Sequence, residues 1–328
     1  MVKKVLFSIV LFFAIAEILI RISGKFKTSN ERVVGEYYYR YHQSRGTWLH
    51  HWKPNKTVDY TQPEFRYQNA YNEFGLREMA LDSFVADTST LKVLCLGDSF
   101  TEGDGAPFDS SWVKRIGYLS KLNGKSKYRF YNAGACGSDV FFNHQWLSSG
   151  LMKMKPVKVI ECVNASDVED VLWFGGSERF NMDGTTSGKI GPRWEIYYKY
   201  FHIVRAFVHK VLGYNSNLVM TGNEVFAIGL IKDELIKTNE WCKANGIVYT
   251  VVLQLCPHEL KLQNKVSNQL FVELAKLDFV TDISDEFQLG INSHNYLQYS
   301  WQENGHFNSL GYQKLGDLVY KYACKDLH

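Results

Sequence analysis

From residue 91 onward, short apolar runs alternate five times with amphipathic stretches, and this alternation constrains the fold of the 328-residue chain more than any other feature. The runs at 92–96, 128–131, 157–163, 247–255 and, more weakly, 279–283 have the length and apolar continuity of strands buried on both faces. Between them lie helical patterns. Over 111–122, Val113, Ile116 and Leu119 share a face; 139–154 is a second such stretch; 223–244 stops before Asn245 and Gly246 in the manner of a C-cap. Strand and helix in this order predict a three-layer α/β/α unit, a doubly wound five-stranded parallel sheet covered on both faces.

Ahead of this unit the chain has a different texture. Lys3 and Lys4 precede an apolar run from Val5 to Ile20, interrupted only by Glu17 and followed by Arg21. A helix needs about 20 residues to cross ~30 Å of hydrocarbon; with Arg21 snorkelling and Ile22 included, residues 5–22 are long enough. No small-x-small cleavage pattern follows the run, so an uncleaved anchor over 1–24 is preferred to a cleaved signal or a buried helix of a soluble protein. With both lysines cytoplasmic, the remainder lies outside the inner membrane as a single-pass protein, on the periplasmic or extracytoplasmic side.

Residues 25–90, rich in Tyr, His, Asn and Trp without sustained helical periodicity, read as an extended, partly strand-forming collar between the membrane and the main unit at 91–328. An insertion at 175–222 carries an aromatic, basic helix near 194–212, which packs either on the domain or against the bilayer or a partner. The net charge of +3 gives no electrostatic case for nucleic acid. The six cysteines form no CxxC pair and no zinc spacing. Cys95, Cys162 and Cys256 fall in or at the end of strand runs and read as buried thiols.

In an open parallel sheet, ligands sit beyond the carboxyl ends of the strands. GDSFTEG (97–103) follows the first strand, where glycines permit a tight turn that presents Ser99 Oγ to a pocket beside inward-pointing backbone N–H groups. NAGACG (132–137) follows the second, with a glycine N–H able to approach the same point. NASD (164–167) follows the third and offers an amide or hydroxyl donor. ENGHFNSLG (303–311) precedes the last amphipathic helix and sets an acid three residues before a histidine.

These four blocks in this order resemble the SGNH/GDSL hydrolase superfamily from residue 91 to the C-terminus, and with the preceding anchor they look like its membrane-anchored bacterial members. The resemblance implies the flavodoxin-like SGNH fold, no metal and no organic cofactor. It implies that Ser99 is the nucleophile, that His306 takes its proton, and that the acid at Glu303, a position usually held by Asp, orients the imidazole. The implied oxyanion donors are the N–H of Ser99, Gly134 and, at the third block, Asn164 or alternatively Ser166. NEFGLR (72–77), shortly before the nucleophile strand, adds to the likeness; there Arg77 is either a tether or a substrate ligand. His258 reads as a solvated loop residue or a pocket residue, and Asp98 as a turn-forming side chain.

Three functional readings follow from the resemblance. The first is an envelope serine esterase acting on acyl esters, O-acetyl esters of a glycan or a related small ester. The second is an O-acetyltransferase of an exported polysaccharide using the same acyl-enzyme. The third is a catalytically degenerate glycan-binding or assembly protein.

Overall fold

The computed structural model describes residues 2–24, 54–78, 89–174, 176–180, 197, 200–211, 224–262 and 268–327. After a first helix, α1 (Val2–Ser23), comes a hairpin in which β1 (Lys56–Thr61) pairs antiparallel with β2 (Arg66–Tyr71). Along β1 half-buried and exposed residues alternate, as expected of a strand with one face in water. The two-residue β3 (Arg77–Glu78) pairs antiparallel with β2 and, through Arg77 opposite Asn132, with β5 (Tyr128–Gly134).

The remaining strands are parallel: β4 (Leu91–Gly97), β5, β6 (Lys158–Val163), β7 (Val248–Leu253) and β8 (Val280–Asp282). The order across the eight-stranded sheet is β1-β2-β3-β5-β4-β6-β7-β8, so the chain winds outward in both directions from β4. All six residues of β6 are buried, which is why apolar residues run through it without alternating. The five parallel strands match the sequence expectation. The sheet differs in its edge: the described part of the expected collar, 54–78, is built into it as three antiparallel strands.

Helices follow the strands. After β4 comes α2 (Ser99–Glu102) and then α3 (Trp112–Leu122), capped by Ser111, whose Oγ accepts the Lys114 N–H. After β5 comes α4 (Val140–Ser149), capped by Asp139. After β6 comes α5 (Ala165–Phe174), followed by α6 (His202–Lys210) and α7 (Glu224–Ala244). Three short helices, α8 (Pro257–Leu262), α9 (Asn268–Leu274) and α10 (Ser284–Gln288), lead to α11 (Ser309–Ala323). α3 packs against α11, and α7 packs against α4 and α5, giving the two helical layers.

α1 is long and apolar enough to span a membrane over Lys3–Ser23. Glu17, the one acid in its apolar run, accepts the N–H groups of His202 (3.0 Å) and Ile203 (2.8 Å) at the start of α6, while Arg21 bonds Glu17 (2.9 Å) and the Tyr200 carbonyl (3.1 Å). A carboxylate at orphan amides of a helix N-terminus satisfies both charge and hydrogen bonding. The expected inserted helix near 194–212 is described only over α6 and its neighbours, and most of the 175–222 insertion lies outside the described residues.

Candidate active site

The turn that carries Ser99 depends on two glycines. Gly97, the last residue of β4, has φ +144°, and a Cβ there would lie 2.3 Å from Thr101 Oγ1. A Cβ on Gly134, beside it on β5, would lie 2.0 Å from the Glu102 backbone nitrogen. Only glycine at both positions lets α2 lie against the strand ends. Asp98 caps α2, accepting the Phe100 N–H at 2.9 Å. Ser99 is therefore the first helical residue, 8% exposed, and its own N–H has no acceptor within the helix.

Arg77 anchors the other end of that turn. It is buried, and its guanidinium donates to the carbonyls of Glu102 (2.6 Å), Gly103 (2.8 Å) and Ala106 (2.6 Å). Of the two sequence readings, the structure gives the tether. Glu102 links the turn onward, accepting from Tyr71 Oη (2.8 Å) and the Cys136 N–H (2.7 Å).

The histidine arrives from the far end of the chain. His306 Nε2 lies 2.7 Å from Ser99 Oγ, and its ring packs on Phe100 with centroids 4.8 Å apart. The loop carrying it is held by the Ser300–Phe307 bridge, by Trp301 Nε1 donating to the Gly105 carbonyl at 2.7 Å, and by Glu64 at the tip of the β1–β2 hairpin. Glu64 accepts three successive backbone N–H groups, of Gln302 (2.9 Å), Glu303 (2.9 Å) and Asn304 (2.8 Å).

That grip corrects the acid. With the 302–304 backbone folded around Glu64, the Glu303 residue is exposed, and its carboxylate bonds none of the described residues. His306 Nδ1 instead lies 2.8 Å from Asn304 Oδ1 and 3.8 Å from Asp104 Oδ2. Neither residue was a sequence candidate. Asp104 lacks a spacing signature, and Asn304 was passed over for the acid beside it.

The structure also places the expected oxyanion donors. β5 continues three residues beyond its expected end, so Asn132, Ala133 and Gly134 lie within the strand, and the Gly134 N–H is taken by Asn132 Oδ1 at 3.0 Å. In the following turn the amides of Ala135, Cys136 and Ser138 bond Gly97 O, Glu102 Oε2 and Ala135 O. Gly137, at φ +70°, is the residue of that turn whose N–H remains free among the described residues.

At the third block, Asn164 Nδ2 donates to Asp98 Oδ2 (3.0 Å), while its Oδ1 accepts from the Ser166 N–H (2.9 Å) and from Cys256 Sγ (3.0 Å). Ser166 Oγ lies 2.8 Å from Asp98 Oδ2 and 2.7 Å from Asn164 Oδ1. A hydroxyl has one proton and an amide nitrogen two, so Ser166 is spent while Asn164 keeps an N–H to give. Burial, and then the nearby Asp98 charge, pushes the Asp167 carboxyl well above the usual range; its Oδ2 accepts the Asn164 N–H at 2.8 Å. Burial likewise pushes the Cys256 thiol up, keeping it a thiol donor to Asn164. His258 is exposed. Among the described residues, no group of three or more His, Cys, Asp or Glu is placed to hold a metal ion.

No protein-family model and no curated protein sequence matches the chain. Solved structures do. A lipase from a goat rumen metagenome is similar over 73% of this chain and 100% of its own, with 15% identity and a TM-score of 0.46. A lipase/acylhydrolase from Enterococcus faecalis is similar over 73% and 98%, with 13% identity and a TM-score of 0.44. The esterase EstA from Pseudoalteromonas sp. is similar over 71% and 97%, with 12% identity and a TM-score of 0.41.

Proposed function

We propose that the chain is a serine ester hydrolase of the SGNH type, held at the extracytoplasmic face of the inner membrane by α1 and acting on O-acyl, in particular O-acetyl, esters of a glycan. The observation that carries the reading is the 2.7 Å contact between Ser99 Oγ and His306 Nε2 at the carboxyl end of β4. A hydroxyl is a weak nucleophile until a base within hydrogen-bond reach accepts its proton as it attacks. Ser99 Oγ bonds the ester carbonyl carbon while its proton passes to Nε2. The oxyanion meets the free donors of Ser99 N, Gly137 N and Asn164 Nδ2. Nε2 returns the proton to the departing alkoxide, and a water deprotonated by the same nitrogen releases the acid and restores Ser99.

The glycan reading draws on the anchor and the near-neutral charge, which suit a neutral polymer worked beside the membrane. The formed Ser99–His306 pair argues against a degenerate binding protein. The test uses the full chain in detergent with p-nitrophenyl acetate and a fluorophosphonate probe. Labelling at Ser99, with turnover abolished in Ser99→Ala, is expected; undiminished turnover in that variant would sink the mechanism. Transfer of acetyl to an oligosaccharide, in place of acetate release, would reassign the protein as a transferase using the same acyl-enzyme.

A further inference from the structure

We propose that Asp104, and not the acid three positions before His306, supplies the negative charge behind the imidazole, with Asn304 fixing the ring's tautomer. The inference rests on the Ser99–His306 reading and adds the group that acts through His306. Among the described residues, Asp104 is the one carboxylate within 4 Å of a ring nitrogen of His306, its Oδ2 lying 3.8 Å from Nδ1. It is 8% exposed and leaves the same turn as the nucleophile, its N–H bonding the Ser99 carbonyl at 3.0 Å. Ser99 and the Asp104 charge are thus referenced to one short piece of backbone.

The N-terminal hairpin completes the arrangement. Tyr60 Oη donates to Asp104 Oδ2 at 3.1 Å and Tyr67 Oη to Oδ1 at 3.4 Å, while Tyr312 Oη holds the Asp104 carbonyl at 2.7 Å. Burial first, and the Asp104 charge second, push the Tyr60 and Tyr67 phenols far up, so both remain donors at any working pH. The other charged groups of this region are committed elsewhere: Arg77 to three carbonyls, Glu102 to Tyr71 and Cys136, Glu64 to the loop amides.

The proton accounting is simple. With Nδ1–H donating to Asn304 Oδ1 at 2.8 Å, the Nε2 lone pair faces Ser99 Oγ. When Nε2 takes the serine proton, the imidazolium charge develops facing Asp104, which accepts no proton at any step. Nε2 then protonates the alkoxide as the C–O bond breaks. Asp104 is a positioning residue, acting only through the ring.

The test compares Asp104→Asn, Glu303→Gln, Ser99→Ala and the charge-relocating double variant Asp104→Asn/Asn304→Asp, each as the full chain in detergent with p-nitrophenyl acetate across pH. Asp104→Asn is expected to lower kcat roughly 100-fold with KM within about 2-fold, and to move the acid limb of kcat/KM to lower pH, because the imidazolium has lost its partner. The double variant, with a carboxylate returned to the Nδ1 side, is expected to recover at least about 10-fold and to move the limb back. Glu303→Gln is expected to match the parent. The proposal is overturned if Glu303→Gln carries the loss, if the acid limb stays fixed in Asp104→Asn, or if the double variant, which keeps the net charge, folds but recovers nothing. Retained turnover in Ser99→Ala would instead remove the underlying reading and is scored separately.

Discussion

Glu64 accepts the backbone N–H of Asn304 at 2.8 Å, two residues before His306 and 240 residues away in the chain. The same carboxylate spans Gln302 and Glu303, and Phe65 beside it packs on Trp301 with centroids 5.4 Å apart. The hairpin at the edge of the sheet thus holds the loop that carries His306.

Glu64→Ala releases three amides at once but leaves the Trp301–Gly105 bond and the Ser300–Phe307 bridge in place. The loop should persist while the imidazole wanders by a fraction of an ångström, and misplacement of that order is expensive for a reacting group. The expected result is a kcat lower by about 10-fold, KM nearly unchanged, and a Tm lower by roughly 2–4 °C from the loss of charge-assisted hydrogen bonds. Fluorophosphonate labelling rates and thermal melts of the full chain check it.

At the third block the two donors separate cleanly. If Asn164 completes the proposed oxyanion hole, Asn164→Ala should cost 10²–10³ in kcat, with KM little changed. Ser166→Ala removes one of several bonds to Asp98 and should cost less than about 10-fold, since Asn164 and Phe100 still hold that carboxylate. Steady-state kinetics of the pair decide; equal losses would assign both side chains to the hole.

What the sequence disclosed here follows the physics of each feature. Buried parallel strands are continuous apolar runs and helices have a 3.6-residue period, so the five βα repeats were legible, and with them the strand end carrying Ser99 and the loop carrying His306. Gly134 was implied as an oxyanion donor by the resemblance, which does not register that Asn132 Oδ1 takes the amide two residues on. Glu303 was implied by the resemblance through its position three residues before His306, and that position carries no information about a carboxylate folded in from residue 64. Asp104 and Glu64 depend on contacts between segments some 200 residues apart, whereas Asn304 lies two residues from His306 and has no charge to mark it. The hairpin itself had a local signature, the half-buried alternation of β1, within a tyrosine-rich segment read only as an extended, partly strand-forming collar.

Arg77 gives a structural prediction with a catalytic readout. Arg77→Met keeps the length of the side chain, leaves the Ala106 carbonyl unmatched in a buried site, and reduces the Glu102 and Gly103 carbonyls to single bonds from Asn132 Nδ2 and the Ala106 N–H. One orphaned acceptor costs about 1–3 kcal/mol and two more buried carbonyls lose a partner, so destabilisation of about 2 kcal/mol or more is expected, together with loss of Ser99 labelling as its turn loosens. Denaturant unfolding and probe labelling of the same preparation check both.

Glu161 offers a prediction far from the chemistry. It is fully buried on β6, accepting from Asn143 Nδ2 at 2.8 Å and from Tyr249 Oη. Burial raises its pKa, the two hydrogen bonds offset part of that rise, and the group ends at about 7, against 4.5 in the unfolded chain. Because the folded state holds the proton more tightly, stability falls as pH rises from about 4.5 to about 7 and stays lowered above that, by about 3 kcal/mol for a shift of this size. An uncharged amide of the same shape bears no such cost. Glu161→Gln should therefore melt roughly 5 °C or more above the parent at pH 8 and within about 1 °C of it at pH 4. A variant less stable than the parent at pH 8 would show that the ionised carboxylate, and not the acid, is the form this core was built around.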